Sequence, residues 1–179
     1  MIEWQIQAHD RVTSTMDLAA ELAAGGAPPG IVVVAEEQSA GRGRLDHSWQ
    51  APAGTSLLTT MILRPDIGIA RDPDFSLRIA EVLKRVIEKE TGVRATIKPP
   101  NDLMIDGKKV SGILAQTSIR GEMLDYLLIG VGLNVNIPPE ALPLPTATSL
   151  FVVTGKLWDR DKLLRAFLRE LESIPGLCD

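Results

Sequence analysis

Cysteine is almost missing from this chain: Cys178 is the single one among 179 residues. No internal disulfide can form and no cysteine-based zinc site can be assembled. Histidine is nearly as scarce, with only His9 and His47, which excludes a histidine-rich metal centre. Both histidines are expected at the surface rather than as ligands. Aromatic residues make up 4% of the chain against 45% hydrophobic residues overall, so the core must be aliphatic. Positive charge is not in surplus: 19 basic residues face 23 acidic ones, for a formal charge of −4. That balance leaves no electrostatic footprint for nucleic acid. No apolar run reaches the ~18–20 residues needed to span a bilayer. The first ten residues carry Glu3 and Asp10 and no apolar stretch of the kind a signal peptide needs. The expectation is a cytoplasmic protein with neither membrane nor nucleic acid as partner. The length fits a single domain over residues 1–179.

What is present is concentrated in short polar clusters. Gly41-Arg42-Gly43-Arg44 alternates two glycines with two arginines in a net-acidic chain. Glycine permits positive φ and lets an anion approach backbone N–H groups. Arginine supplies a rigid fork of donors that matches carboxylate and phosphate oxygens. Ser14-Thr15 stands at the start of an apolar-periodic stretch. Lys98-Pro99-Pro100-Asn101-Asp102 precedes Gly107-Lys108-Lys109, with Gly112 beyond. Gly130-Val131-Gly132-Leu133-Asn134 follows a β-branched and leucine-rich run. Each cluster alone has an ordinary structural explanation: a helix cap, a solvated hairpin edge, a turn after proline, a strand end. Trp49 alone could equally be a core or lid residue.

Periodicity places these clusters at element ends. Ser14 or Thr13 caps a helix with Leu18 and Leu22 inward, ended by Gly25-Gly26. Residues 31–35 and 56–63 read as strands. A stronger helix opens at Asp74 or Ser76, buries Leu77, Ala80, Leu83, Val86 and Ile87, and stops at Gly92. Residues 94–98 read as a strand. Residues 103–105 and 108–114 form a hairpin around Asp106-Gly107, and Gly121 turns a second hairpin into a strand over 124–131. The segment 130–136 then leaves the sheet. A last helix over 158–174 turns Leu163, Leu164, Phe167, Leu168 and Leu171 inward. Strands outnumber helices and hairpins join them, so the fold class is α+β, with a mixed, largely antiparallel sheet and helices packed against it.

In their order along the chain, these clusters resemble the catalytic domain of biotin protein ligases. That family carries Ser-Thr-Asn, Gly-Arg-Gly-Arg-x-Gly-Arg-x-Trp, Lys-Trp-Pro-Asn-Asp, Gly-Lys-Lys-x-x-Gly-Ile-Leu and Gly-x-Gly-x-Asn. Here the segments read Ser14-Thr15-Met16, Gly41 to Trp49, Lys98 to Asp102, Gly107 to Leu114 and Gly130 to Asn134, and Ala147 to Leu150 fits a further family segment. The resemblance covers roughly the whole chain and implies the class II synthetase-like fold of biotin/lipoate ligases. It shows no N-terminal helix-turn-helix, and the family's small C-terminal SH3-like barrel is expected to be absent.

The resemblance implies an ATP-dependent ligase. Biotin's carboxylate attacks the α-phosphorus of ATP, giving biotinyl-5′-AMP and pyrophosphate. A lysine of a biotin carboxyl carrier protein then displaces AMP. Bringing two anions together calls for cations, hence Arg42, Arg44 and Lys109 as catalytic residues beside Mg²⁺. Asp102 is the implied base or magnesium partner. Ser14, Thr15, Gln38, Gly41, Arg42, Gly43, Arg44, Lys109 and Gly112 are implied on the biotin side. Arg44, Trp49, Lys98, Asn101, Gly132 and Asn134 are implied on the ATP side, Trp49 by stacking on adenine. A homodimer is implied, since the family often dimerises. Two other readings stand beside this one: a lipoate or octanoate ligase or transferase of the same superfamily, and a non-catalytic biotin-binding paralogue.

Three departures belong to the same comparison. Leu45-Asp46-His47-Ser48 stands where the family has x-Gly-Arg-x, Pro99 replaces a tryptophan, and Met16 replaces an asparagine. Asp46 is expected to repel phosphate and loosen the hold on the adenylate.

Overall fold

The computed structural model of the chain describes residues 2–45 and 47–178. In chain order the elements are β1 (Gln5–Val12), α1 (Thr15–Ala24), β2 (Ile31–Gln38), β3 (Gly41–Arg42), β4 (Ser48–Trp49), β5 (Ser56–Leu63), α2 (Ile67–Ala70), α3 (Phe75–Thr91), β6 (Thr96–Lys98), β7 (Asp102–Ile105), β8 (Lys108–Arg120), β9 (Met123–Asn134), α4 (Leu150–Thr154) and α5 (Arg160–Leu171). Seven strands form one sheet in the order β1-β2-β5-β9-β8-β7-β6, and β3 pairs with β4 as a separate ribbon. Only β1 and β2 run parallel; the remaining pairs of the large sheet are antiparallel. This is the mixed, largely antiparallel sheet expected of the sequence.

Local chemistry explains the helix ends. The Ser14 hydroxyl accepts from the Met16 N–H and caps α1, and Gly25 closes it. Gly92, at φ 74°, ends α3 in the left-handed conformation that glycine adopts without penalty. The Asp159 carboxylate accepts from the Lys162 N–H to start α5. Asp106 and Gly107 both take positive φ, which gives the two-residue β7–β8 turn the twist a hairpin requires.

Successive residues of a strand point to opposite faces, and the two faces here are covered differently. On one face Met61, Leu127, Ile129 and Leu133 pack with Ile79, Leu83 and Ile87 of α3 and Phe167 of α5. On the other, Val33, Ile62 and Leu128 pack with Met16, Ala19 and Ala23 of α1. Helix α1 covers only part of its face, and the uncovered part becomes a cleft.

Four differences separate the structure from the sequence reading. Strand β1 was not expected, because Gln5–Val12 is a polar-rich edge strand with one neighbour and little burial. Strand β9 does not leave the sheet at Gly130: Gly132, Leu133 and Asn134 stay paired with Leu58, Leu57 and Ser56 of β5. The strand expected over 94–98 begins at Thr96. Helices α2 and α4 are too short to show a period.

Candidate functional site

The floor of the cleft is a patch of sheet without side chains. Gly112 on β8 lies opposite Gly132 on β9, and Gly130 lies between Leu114 and Thr60 on its two neighbours. All three glycines are needed for close approach. A Cβ at Gly132 would sit 2.5 Å from Cε2 of Trp49, and one at Gly112 would sit 3.1 Å from Cζ3 of the same ring. A Cβ at Gly130 would sit 2.8 Å from the Met16 sulfur. The Trp49 indole therefore lies on the glycine floor.

One wall is the N-terminus of α1 with the end of β2. The Gln38 side-chain oxygen accepts from the Thr15 N–H at 2.8 Å and from the Thr15 hydroxyl at 3.0 Å. The Thr15 hydroxyl accepts in turn from Thr60 at 2.9 Å. Above this wall passes the glycine–arginine loop. Its Arg42 and Gly41 pair with Ser48 and Trp49, so the loop is a narrow ribbon folded back on itself. The Gly43 N–H donates to the His47 carbonyl at 2.7 Å. Arg42 reaches Asp17, in the first turn of α1, at 2.8 Å. Arg44 extends toward the Asn101 side-chain oxygen at 3.5 Å. Asp46, with its expected repulsion of phosphate, lies outside the described residues.

The opposite wall is the β7–β8 hairpin. Lys109 Nζ meets Asp102 Oδ1 at 2.8 Å and stands 5.5 Å from the centre of the Trp49 ring, a cation–π distance. Two backbone clamps hold this wall. Asn101 exchanges hydrogen bonds with Ile113 through its carbonyl and its side-chain amide. Lys109 exchanges two with Thr146 and Thr148, tying the 146–149 segment to β8.

These walls enclose a cavity of about 340 Å³. A second, of about 410 Å³, adjoins it and shares His47, Ser48, Trp49 and Lys109 with it. The second is lined also by Asn134, Pro143, Leu144 and Ala147. Asn134 donates its amide to the Thr148 carbonyl, which leaves its side-chain oxygen buried and without a partner among the described residues. The buried indole N–H of Trp49 is likewise unpartnered. Such orphaned groups are uncommon, and at a cavity they are latent contacts for a ligand.

Of the residues singled out in the sequence, Ser14, Thr15, Gln38, Arg42, Gly43, Arg44, Trp49, Asn101, Asp102, Lys109, Gly112 and Gly132 converge on the first cavity. Asn134 opens to the second. Gly41 lines neither; its Cα faces the Trp49 carbonyl in the ribbon. Lys98 is exposed and lines neither. Trp49 lies flat on the glycines at the junction of the two cavities. Asp17, Thr60 and Leu114 were not foreseen. Asp17 sits three residues after its cap with no motif around it, and Thr60 is one of three buried hydroxyl residues in a fully buried strand, with nothing in the sequence to set it apart from Ser56 and Thr59.

Chemically the cleft presents Arg42, Arg44 and Lys109 against Asp17 and Asp102. Its cations suit an anion, with hydroxyl and amide groups at one end of the cleft and an apolar slot with two orphaned polar atoms at the other. Among the described residues no group of three or more His, Cys, Asp or Glu side chains could hold a metal ion. No helix among them is long and apolar enough to cross a membrane.

Comparison with known proteins agrees in sequence and in shape. Residues 8–134 match the model of the Biotin/lipoate A/B protein ligase family. The chain is 38% identical over 163 residues to the bifunctional ligase/repressor BirA of Bacillus subtilis, covering 89% of this chain and 50% of that protein. It is 34% identical over 169 residues to the biotin–[acetyl-CoA-carboxylase] ligase of Mycobacterium tuberculosis, covering 90% of this chain and 60% of that one. The chain thus spans about half the length of the first of these relatives. Among solved structures it resembles the biotin protein ligase from Aquifex aeolicus in complex with biotin and ATP, with 30% identity, a TM-score of 0.79, and coverage of 94% of this chain and 68% of that one.

Proposed function

The chain belongs to the biotin/lipoate A/B protein ligase family, and from that premise we propose that it activates biotin with ATP as biotinyl-5′-AMP and passes the biotinyl group to a lysine of a biotin carboxyl carrier protein. The carrying observation is the pair of adjoining cavities, with Lys109 and Trp49 at their junction and arginines over one of them.

In the first cavity Ser14, Thr15 and Gln38 meet the ring of biotin, and Gly112 lets its chain lie against the sheet. Arg42 and Arg44 face the carboxylate. In the second cavity the orphaned Asn134 oxygen suits the exocyclic amine of adenine. Gly132 leaves the room that Trp49 occupies, and Asn101 stands toward the phosphates. The carboxylate oxygen attacks the α-phosphorus and the bond to pyrophosphate breaks. Lys109 and the arginines offset the negative charge gathered there. In transfer, the carrier lysine must lose a proton from a group whose ordinary pKa is about 10.4. Asp102, the one carboxylate lining the first cavity among the described residues, is placed to receive it.

A lone carboxylate beside a lysine fits Mg²⁺ held mainly by phosphate oxygens and water rather than by a protein cage. Bound there with Asp102 as protein partner, the ion would supply charge neutralisation on the phosphates. Residues 1–179 are read as a single catalytic domain, and a homodimer stays open as its assembly.

The test is incubation with biotin, Mg·ATP and a biotin carboxyl carrier domain, followed by mass analysis of the carrier. A biotinyl adduct is expected. Absence of both that adduct and pyrophosphate release would sink the ligase reading, a lipoyl adduct from lipoic acid would replace biotin as substrate, and biotin binding without turnover would mark a binding paralogue.

A further inference from the structure

The buried hydroxyl of Thr60 has no place in the chemistry above. It is fully buried in β5, beneath the N-terminus of α1, and lines neither cavity. Among the described residues this hydroxyl donates to Thr15.

The protons along this chain of groups follow from a single fact. A backbone N–H can only donate, so the Gln38 atom 2.8 Å from the Thr15 nitrogen must be the amide oxygen. An amide oxygen can only accept, so the Thr15 hydroxyl, 3.0 Å from that same oxygen, must donate to it. That uses the only proton Thr15 Oγ1 has. Thr60, 2.9 Å away, must therefore donate to Thr15. The Gln38 amide is left with its two N–H groups to offer, and Thr15 with one lone pair. Ser14 adds to the donors: its oxygen accepts from the Met16 N–H, and its proton is uncommitted.

The ring end of the cavity thus presents one acceptor, at Thr15, beside donors at Gln38 and Ser14. A cyclic urea is the complement, with N–H groups next to a carbonyl. A dithiolane ring has neither. Resting on the biotin reading of this cavity, we infer that Thr60 is a positioning residue which, by donating to Thr15, takes one of its two lone pairs and holds the other toward the ring, as the acceptor that a ureido N–H meets and an apolar ring does not. A buried neutral hydrogen bond is worth on the order of 1 kcal/mol, which as affinity is about fivefold.

The experiment measures dissociation constants of the whole chain for biotin by calorimetry, and for lipoic acid by competition, in wild type, Thr60→Val and Thr60→Ser. Valine keeps the bulk and removes the donor; serine keeps the donor. Thr60→Val should weaken biotin binding by about three- to tenfold. Its discrimination against lipoic acid should fall by the same factor, and Thr60→Ser should stay within about twofold of wild type. A Thr60→Val protein that binds biotin as wild type does overturns the inference. So does a serine variant as impaired as valine, or an equal loss for lipoic acid, since each would mean bulk and not polarity. A wild-type chain that binds no biotin would instead overturn the underlying reading, and the inference with it. Thermal unfolding of each variant identifies a folding defect, and the serine variant then decides alone.

Discussion

The two faces of the central sheet are made by the same strands and do opposite jobs. On the face under α3 and α5, β9 contributes Leu127, Ile129 and Leu133, all fully buried. On the other face, one residue out of step, the same strand contributes Gly130, Gly132 and Asn134. The first face is filled to the density of a core. The second lacks side chains at Gly130 and Gly132, and at Gly132 an indole lies against the backbone. Because the period of a strand is two residues, stability and site chemistry interleave along β9 without sharing a position. The charged groups differ in the same way. On the helical side, hydrogen bonds from Lys84 to Glu88 and from Lys162 to Glu90 hold both carboxyls below the usual carboxylate range. At the cleft, Arg42 and Lys109 are held by acids while other donors of each remain free for a ligand.

The sharpest way to break this comparison is to empty the filled face. Phe167→Ala removes a fully buried ring from α5 and should cost about 3–5 kcal/mol of stability. Denaturant unfolding reads that cost, and the folded fraction should keep its affinity for biotin. Filling the emptied face should do the reverse. Gly132→Ala places a methyl 2.5 Å from the Trp49 ring, and the indole must leave its seat. Biotin-dependent pyrophosphate release should fall about a hundredfold, some 2.7 kcal/mol in barrier, with a melting temperature close to wild type. Loss of fold with loss of activity there would erase the distinction between the faces. A smaller effect tests the loop. Asp17→Asn frees Arg42 from α1, and because both side chains are about half exposed the pair is worth at most about 1 kcal/mol. The Michaelis constant for biotin should rise about two- to fivefold, Asp17→Glu should restore it, and added salt should narrow the gap. Smallest is the response to acid. A carboxyl held low in the folded state stabilises fully above its unfolded pKa of about 4.3 and loses that contribution as pH falls through its lowered folded value. Melting temperatures of wild type and Glu90→Gln should therefore differ at pH 7 and converge below about pH 4.

Helix α3 was legible because its apolar residues recur at helical spacing and Gly92 stops it, and the β7–β8 hairpin because Asp106-Gly107 is a turn of one kind. The site residues were legible as ordered polar clusters at element ends. Other features depend on partners far away in sequence. The edge strand β1 has no periodic signature, since only β2 holds it. Trp49 could be read as an adenine stacker, but its seat on Gly132 brings together residues 83 positions apart. Lys98, taken as a nucleotide contact from its motif, points to solvent because β6 is an edge strand.

By itself the sequence determined the α+β class and the cations and amides gathered at the cleft. Residue type and local spacing suffice for those. Only the tertiary structure decided which face of β9 is floor and which is core, that Asp17 holds Arg42, that Trp49 stands between two cavities, and that Thr60 donates to Thr15. Each of these depends on strand register, which arises when distant segments pack and which no single segment encodes.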